Sequence, residues 1–284
     1  MSESLKQALN RQRQAGQALL ATNFYNAETL LAVLRAAQRA GSALILQTSP
    51  STISYLGLRT AAAMARAAAR ELGVQAWLHL DHARDIGLIA RCIEAGYDSV
   101  MVDASSEPFE ENVRVTREVV SLARAHGVLV EAELGYIPKL GEREAEQFEM
   151  TSPEQAESFV AETGADLLAV AIGNAHGFYQ REPRLDMDRL TAIRQQTGAF
   201  LVLHGASGIP DEQWRQAVRG GIVKVNFATE IKDTLMVHLR TALQSSDSID
   251  LRTVFPPAMD AVTQLVLSKL ALCAGQENAP HSMK

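Results

Sequence analysis

The sequence predicts a single (β/α)8 barrel on three observations. Short apolar runs alternate with longer amphipathic stretches along the whole chain. The runs lack strict polar–apolar alternation, as strands buried on both faces of a parallel sheet do. Eight such units fill the 284 residues and leave only a helical tail from about Asp250. Alternation of this kind signals βαβ units, and eight of them suffice to close a barrel. A doubly wound open sheet is the architecture that periodicity alone leaves as the alternative. No Pro/Gly/Ser-rich linker interrupts the chain, so residues 1–284 read as one domain, with a C-terminal helical extension from about 250.

The expected strands are the apolar runs Ala18–Ala21, Ala43–Gln47, Ala76–Leu80, Ser99–Val102, Leu129–Leu134, Asp166–Ile172, Ala199–Leu203 and Ile222–Val225. Helix-length segments lie between them, among them Ala27–Arg39, Arg59–Leu72, Ile86–Ala95 and Asn112–His126. Ser152-Pro153-Glu154-Gln155 carries an N-cap serine, a proline at the first helical position and a glutamine at the third. The alanine-rich run Ala61–Arg70 reads as a strong, closely packed helix. The longest irregular segment, Gly135–Thr151, follows strand five, and a βα loop of that length reads as a lid or binding loop.

Composition narrows the function classes. Hydrophobic residues make up 47% and charged residues 21%, an ordinary globular mix. The net charge of −6 argues against a nucleic-acid binder and a polybasic membrane-surface protein. No apolar run approaches the roughly 18–20 residues that span a bilayer. The polar N-terminus has no apolar signal core, and Cys92 and Cys273 make no disulfide framework. Together these favour a reducing cytoplasm.

In a barrel the chemistry sits at the C-terminal ends of the strands. Strand three ends in Leu80-Asp81-His82, strand four in Asp103, and strand six in Gly173-Asn174-Ala175-His176-Gly177. Strand seven ends in His204-Gly205-Ala206-Ser207-Gly208, and strand eight in Asn226, then Ala228-Thr229. Three of the seven histidines, His82, His176 and His204, therefore stand at three strand ends. Three neutral imidazoles with an open fourth position make a catalytic zinc site. The competing reading is three unrelated histidines that cap strands or bond to the backbone. His79 lies inside strand three and reads as structural, His126 ends a helix, and His238 and His281 have no site-like context.

Asp81 can orient a ligand or serve as a general acid/base, or it can be a plain strand-end carboxylate. Glu131 and Glu133 share parity on strand five, so both face one side. They can ligate a cation or steer its imidazoles, and one of the pair reads as a buried salt bridge. The glycine-flanked turn after strand seven and the helix start after Asn226 occupy the place where barrels bind phosphate.

These residues carry a family resemblance. The chain resembles the class II, zinc-dependent ketose-bisphosphate aldolases, most of all the tagatose-1,6-bisphosphate aldolase branch. The matching segments are NFYNAET (from Asn23), HLDHARD (from His79), SVMVDASSEPFEENV (from Ser99), VEAELG (from Val130), LAVAIGNAHGFY (from Leu168), LVLHGASGIPDE (from Leu201) and KVNFATEIK (from Lys224). They run in order across nearly the whole chain. The resemblance implies aldol cleavage of a tagatose- or fructose-type ketose 1,6-bisphosphate to dihydroxyacetone phosphate and glyceraldehyde 3-phosphate. It implies Zn2+ on His82, His176 and His204, a second metal position at Asp103 and Glu133, and a monovalent cation. It gives Asp81 the proton of the C4 hydroxyl and places Asn226 on the dihydroxyacetone phosphate moiety. Asn23, Gly177, Gly205, Ala206, Ser207, Phe227, Ala228 and Thr229 fall among substrate- and phosphate-binding positions. Arg252 falls where the family has an arginine that reaches the distal phosphate of a neighbouring subunit, so a homodimer or homotetramer is implied. Lys224 has no covalent role in this reading.

Three departures stand out. Asp103-Ala104-Ser105-Ser106 replaces the family's Asp-Gly-Ser-His. The Gly-Gly pair that opens the family's mobile acidic loop is absent, and Glu142 is the nearest candidate for its proton-exchanging glutamate. A second C-terminal arginine is replaced within Phe255-Pro256-Pro257. The dihydroxyacetone-phosphate half thus looks intact and the aldehyde half altered. Alternatives are an aldolase for a different ketose 1-phosphate or a non-catalytic barrel that binds a sugar phosphate. A metal-dependent hydrolase is a third, weakened because strand one offers Asn23 and no His-x-His pair.

Overall fold

The structure is a computed structural model, and it describes residues 3–138, 150–177, 179 and 181–276. Its strands are β1 (Leu19–Asn23), β2 (Leu44–Thr48), β3 (Ala76–Ala83), β4 (Ser99–Val102), β5 (Leu129–Leu134), β6 (Leu167–Val170), β7 (Phe200–Leu203) and β8 (Ile222–Phe227). They close a barrel in chain order, and β8 pairs in parallel with β1. Closure excludes the open-sheet alternative. The helices are α1 (Leu5–Ala15), α2 (Ala27–Ala40), α3 (Pro50–Leu56), α4 (Leu58–Glu71), α5 (Ile86–Glu94) and α6 (Phe109–Arg124). They continue with α7 (Pro153–Thr163), α8 (Met187–Gln196), α9 (Asp211–Gly220), α10 (Thr229–Ser245), α11 (Leu251–Val254) and α12 (Pro256–Cys273).

The polar N-terminal segment, which the sequence leaves unassigned, is the amphipathic helix α1. Ser4 and Gln7 close a capping box at its start. Leu5, Ala8 and Leu9 cover the lower end of the barrel over Leu19, Ala21, Ile45, Trp77, Leu129, Leu167, Phe200 and Val223. The C-terminal extension joins the outer ring. Ala258, Met259, Val262 and Val266 of α12 are buried, and Thr263 Oγ1 donates to the Ala32 carbonyl of α2 at 3.0 Å.

Two irregularities in the sheet position the site. The β3–β4 register shifts between Leu80 and Ala83, and His82 has φ 50°, the one positive φ among the described non-glycine residues. A bulge with a left-handed residue bends the strand and re-aims its side chains. Strict alternation would send either Asp81 or His82 outward; here both face the barrel mouth. The β7–β8 register shifts at Leu201/Val202, which places Val223 in the lower lumen and Lys224 beside Glu131 one layer higher.

Candidate metal centre and active site

The three strand-end histidines converge. One ring nitrogen from each of His82, His176 and His204 lies within 4.8 Å of the others. His82 stands on β3, His176 follows β6 and His204 follows β7. His82 Nε2 and His204 Nδ1 are 3.1 Å apart. His176 Nε2 is buried and has no hydrogen-bond partner.

The outward nitrogens are each fixed. His82 Nδ1 meets Asp103 Oδ2 at 2.9 Å, His204 Nε2 meets Glu131 Oε1 at 2.8 Å, and His176 Nδ1 meets the Ile137 carbonyl at 3.3 Å. Acceptors on the outer nitrogens leave the lone pairs of the inner ones facing one another. That is the arrangement second-shell partners impose on metal-binding imidazoles. The donor set and the orphaned His176 nitrogen fit a divalent ion of the zinc type.

The surrounding charges act differently on the three rings. Burial, with the repulsion of His82 next, lowers His176 to about 4, so it is neutral at pH 7. Burial also holds His204 well below the usual imidazole range. For His82 burial acts in the same direction, but Asp81 and the hydrogen bond to Asp103 outweigh it and raise it to about 9. Asp103 is pulled below the usual carboxylate range because its bonds to His82 and Ser105 outweigh burial. Burial pushes Glu133 up to about 8.

The expected second metal position is arranged differently from the three-histidine cluster. Asp103 is engaged on both oxygens, with His82 on one and Ser105 Oγ, at 2.8 Å, on the other. Glu133 Oε2 lies 3.7 Å from His204 Nδ1, and its Oε1 accepts the Ile137 N–H at 3.4 Å. Both carboxylates thus border the imidazoles without joining the group that could hold an ion.

Asp81 sits in a buried amide cradle. Its Oδ2 accepts from Asn23 Nδ2 at 3.0 Å and its Oδ1 from Asn226 Nδ2 at 3.3 Å. One of its oxygens is 3.9 Å from His82 Nε2, so the carboxylate stands beside the imidazole cluster. Gln47 Nε2 donates to Asn23 Oδ1 at 3.3 Å, and Lys224 Nζ donates to Asn226 Oδ1 at 2.8 Å and Glu131 Oε2 at 2.7 Å. One chain of contacts therefore links β2, β1, β3, β8, β5 and β7. His79 is a structural histidine, as expected: it is fully buried and pairs with Ser99 Oγ at 2.7 Å.

The two turns expected to bind phosphate lie side by side. Ala206 N donates to the Asn226 carbonyl at 3.3 Å, and Glu230 N donates to Ser207 Oγ at 3.4 Å. Helix α10 starts at Thr229 after Ala228, which supplies no side-chain cap; the Glu230 N–H goes to Ser207 and the Ile231 N–H to the Ala228 carbonyl at 3.2 Å. The Gly208 N–H is already taken by Glu230 Oε1 at 2.8 Å. Ala206 and Phe227 are fully buried. Gly177 follows His176 with φ 106°. Gly205 has a packing reason as well: φ is 63°, and a Cβ there would run into the Ala175 carbonyl oxygen.

Tyr179 and Gln47 were missed by sequence reasoning. The Tyr179 hydroxyl accepts the Ala175 N–H at 2.7 Å and donates to the Gly205 carbonyl at 3.0 Å, tying the loop that carries His176 to the one that follows His204. A tyrosine three residues past a ligand gives no such signal. A glutamine closing an otherwise apolar strand does, since a buried amide needs partners. Arg252 has a side chain that is 90% exposed and paired with Asp250 at 2.9 Å. Glu142 lies outside the described residues.

The profile described as Fructose-bisphosphate aldolase class-II matches residues 3–278. The chain belongs to the class-II fructose-bisphosphate aldolase family. Solved aldolase structures agree with it. The YdjI aldolase of Escherichia coli K12 is 33% identical, with TM-score 0.86, over 98% of this chain and 99% of that one. A putative fructose-1,6-biphosphate aldolase from Coccidioides immitis is 32% identical, with TM-score 0.87, over 97% of this chain and 98% of that one. The fructose-bisphosphate aldolase of Campylobacter jejuni, 22% identical over 97% of this chain and 95% of that one, shares the fold at TM-score 0.82. This class-II aldolase is therefore a carbon–carbon lyase on a (β/α)8 barrel. No helix among its described residues is long and apolar enough to cross a membrane.

Proposed function

We propose that this aldolase reversibly cleaves the C3–C4 bond of a tagatose- or fructose-type ketose 1,6-bisphosphate, giving dihydroxyacetone phosphate and glyceraldehyde 3-phosphate. The observation that carries the reading is the meeting of three oriented imidazoles with the cradled carboxylate of Asp81. His82, His176 and His204 are the residues that would hold zinc, which when bound supplies Lewis-acid polarisation of the ketone carbonyl.

The protein's own groups do the rest. Asp81 takes the C4 hydroxyl proton as that carbon becomes the aldehyde, and returns it on condensation. Asn23 and Asn226 fix the carboxylate through both oxygens, so its free lone pairs face the substrate. The turns at Gly177, Gly205–Ser207 and Phe227–Thr229 take the ketose 1-phosphate. Arg252 serves the distal phosphate of a neighbouring subunit in a homodimer or homotetramer, and Glu142 exchanges the C1 proton.

A second reading, an aldolase for a ketose 1-phosphate, is favoured by the exposed Arg252 held by its own Asp250. A coupled dihydroxyacetone-phosphate assay across epimeric ketose 1,6-bisphosphates and 1-phosphates, with and without chelator, decides between them. We expect chelator-sensitive turnover of a bisphosphate. Turnover confined to 1-phosphates would establish the second reading, and no release of dihydroxyacetone phosphate from either class would remove both.

A further inference from the structure

Lys224 is fully buried in the barrel lumen, in the middle of β8. Taking an ammonium out of water costs several kcal/mol unless it is well paired, and an apolar side chain of similar volume would often fill such a place at least as stably. Its partners are therefore informative. Nζ donates to Asn226 Oδ1 at 2.8 Å and to Glu131 Oε2 at 2.7 Å. Asn226 Nδ2 then faces Asp81 Oδ1 at 3.3 Å. The other Glu131 oxygen meets His204 Nε2 at 2.8 Å.

An ammonium only donates, so the Asn226 atom facing it must be the oxygen. That fixes which face of the amide reaches Asp81 and the substrate: the N–H face. A flipped amide would set a carbonyl oxygen against the Asp81 carboxylate. The same ammonium balances Glu131, whose second oxygen, 2.8 Å from His204 Nε2, takes that nitrogen's proton in a charge-assisted bond stronger than the donation Asn226 Nδ2, 3.1 Å away, would make to it. A protonated Nε2 leaves the His204 lone pair on Nδ1, the nitrogen 3.1 Å from His82 Nε2.

We propose that Lys224 is a positioning residue that sets two orientations at once: the amide face of Asn226, directly, and the ring tautomer of His204, through Glu131. The role of the amide rests on the proposed aldol chemistry; the tautomer does not.

The test uses metal-free and metal-loaded full-length protein. In the metal-free form, two-bond 1H–15N correlation spectra of the histidines report the His204 tautomer without any turnover. Wild type is expected to show His204 protonated at Nε2, and Lys224→Met a mixture of tautomers with zinc affinity, by competition with a chromophoric chelator, about 10- to 100-fold weaker. In the loaded form, Lys224→Met and Asn226→Ala are expected to lower kcat/KM by similar factors, and the double variant by little more than either alone, because both remove one device. If Lys224→Met unfolds, the Lys224→Met/Glu131→Gln pair carries the same comparison. It removes both charges and keeps an oxygen for His204, so it should restore the tautomer and the zinc affinity while kcat/KM stays low. An unchanged tautomer in Lys224→Met, or multiplicative losses with Asn226→Ala, would overturn the proposal. A tautomer change in a protein that turns over no ketose phosphate would instead count against the aldol reading alone.

Discussion

The two ends of the barrel are built from the same strands and obey opposite rules. At the lower end the inward residues Ala21, Ile45, Trp77, Leu129, Leu167 and Phe200 form an apolar plug under α1. One to four residues further along, the inward positions are Asn23, Gln47, His79, Asp81, Glu131, Glu133, Lys224 and Asn226, all buried and polar. The plug needs only volume and apolarity, and it tolerates regular strands. The polar layer needs a partner for every group, and it contains the left-handed His82 that brings two consecutive β3 residues to the mouth. Apolar packing is thus concentrated below, and chemistry, with its left-handed residue and its orphaned polar atoms on Gln47, His79, Glu133 and His176, above.

Substitutions should separate the two ends. The largest expected effect on activity is at the top: Asp81→Asn should cut kcat by about 10²- to 10⁴-fold, as loss of a general acid/base does, with zinc content by metal analysis unchanged. Loss of zinc together with activity would make Asp81 a structural member of the metal centre. Gly205→Ala should weaken zinc binding and activity together, because the Cβ must push the Ala175 carbonyl, and with it the neighbouring His176, away from β7. Normal zinc affinity in that variant would show the β6–β7 contact to be slack. At the bottom, Phe200→Ala should cost about 3–5 kcal/mol in denaturant unfolding and leave kcat of the folded protein near wild type. Its ring is buried and also carries the Arg13 guanidinium 4.1 Å above it. A large kcat loss there would mean that the ends are not independent. The smallest effect is in the outer helical ring: chloroacetamide should leave Cys92, buried on α5, unmodified at pH 8 in the native protein, since burial raises its thiol to about 12.

The barrel itself was legible in the sequence because it rests on periodicity. Strands β4 and β5 coincide with the expected runs Ser99–Val102 and Leu129–Leu134. Strand β3 runs past its expected end because pairing resumes at Ala83, opposite Val102, after the bulge at Asp81-His82, and β8 does so because Asn226 and Phe227 pair with Ala21 and Thr22. Helix α1 escaped notice because a short polar segment shows its apolar stripe only when wrapped at helical period. The three histidines were legible from their place at strand ends. The reason Asp81 and His82 can act together was not, because a bulge leaves no mark in a sequence that lacks glycine there. The pairing of Lys224 with Glu131 was half visible: an inward carboxylate demands a counter-charge, but which residue supplies it depends on the barrel's stagger.

The central claim is that His82, His176 and His204 together hold the reaction's metal. Anomalous diffraction at the zinc edge from crystals of the zinc-loaded protein tests it most directly. The account predicts one peak about 2.0–2.1 Å from His82 Nε2, His176 Nε2 and His204 Nδ1. A peak centred elsewhere, or none at full zinc occupancy in solution, would contradict it.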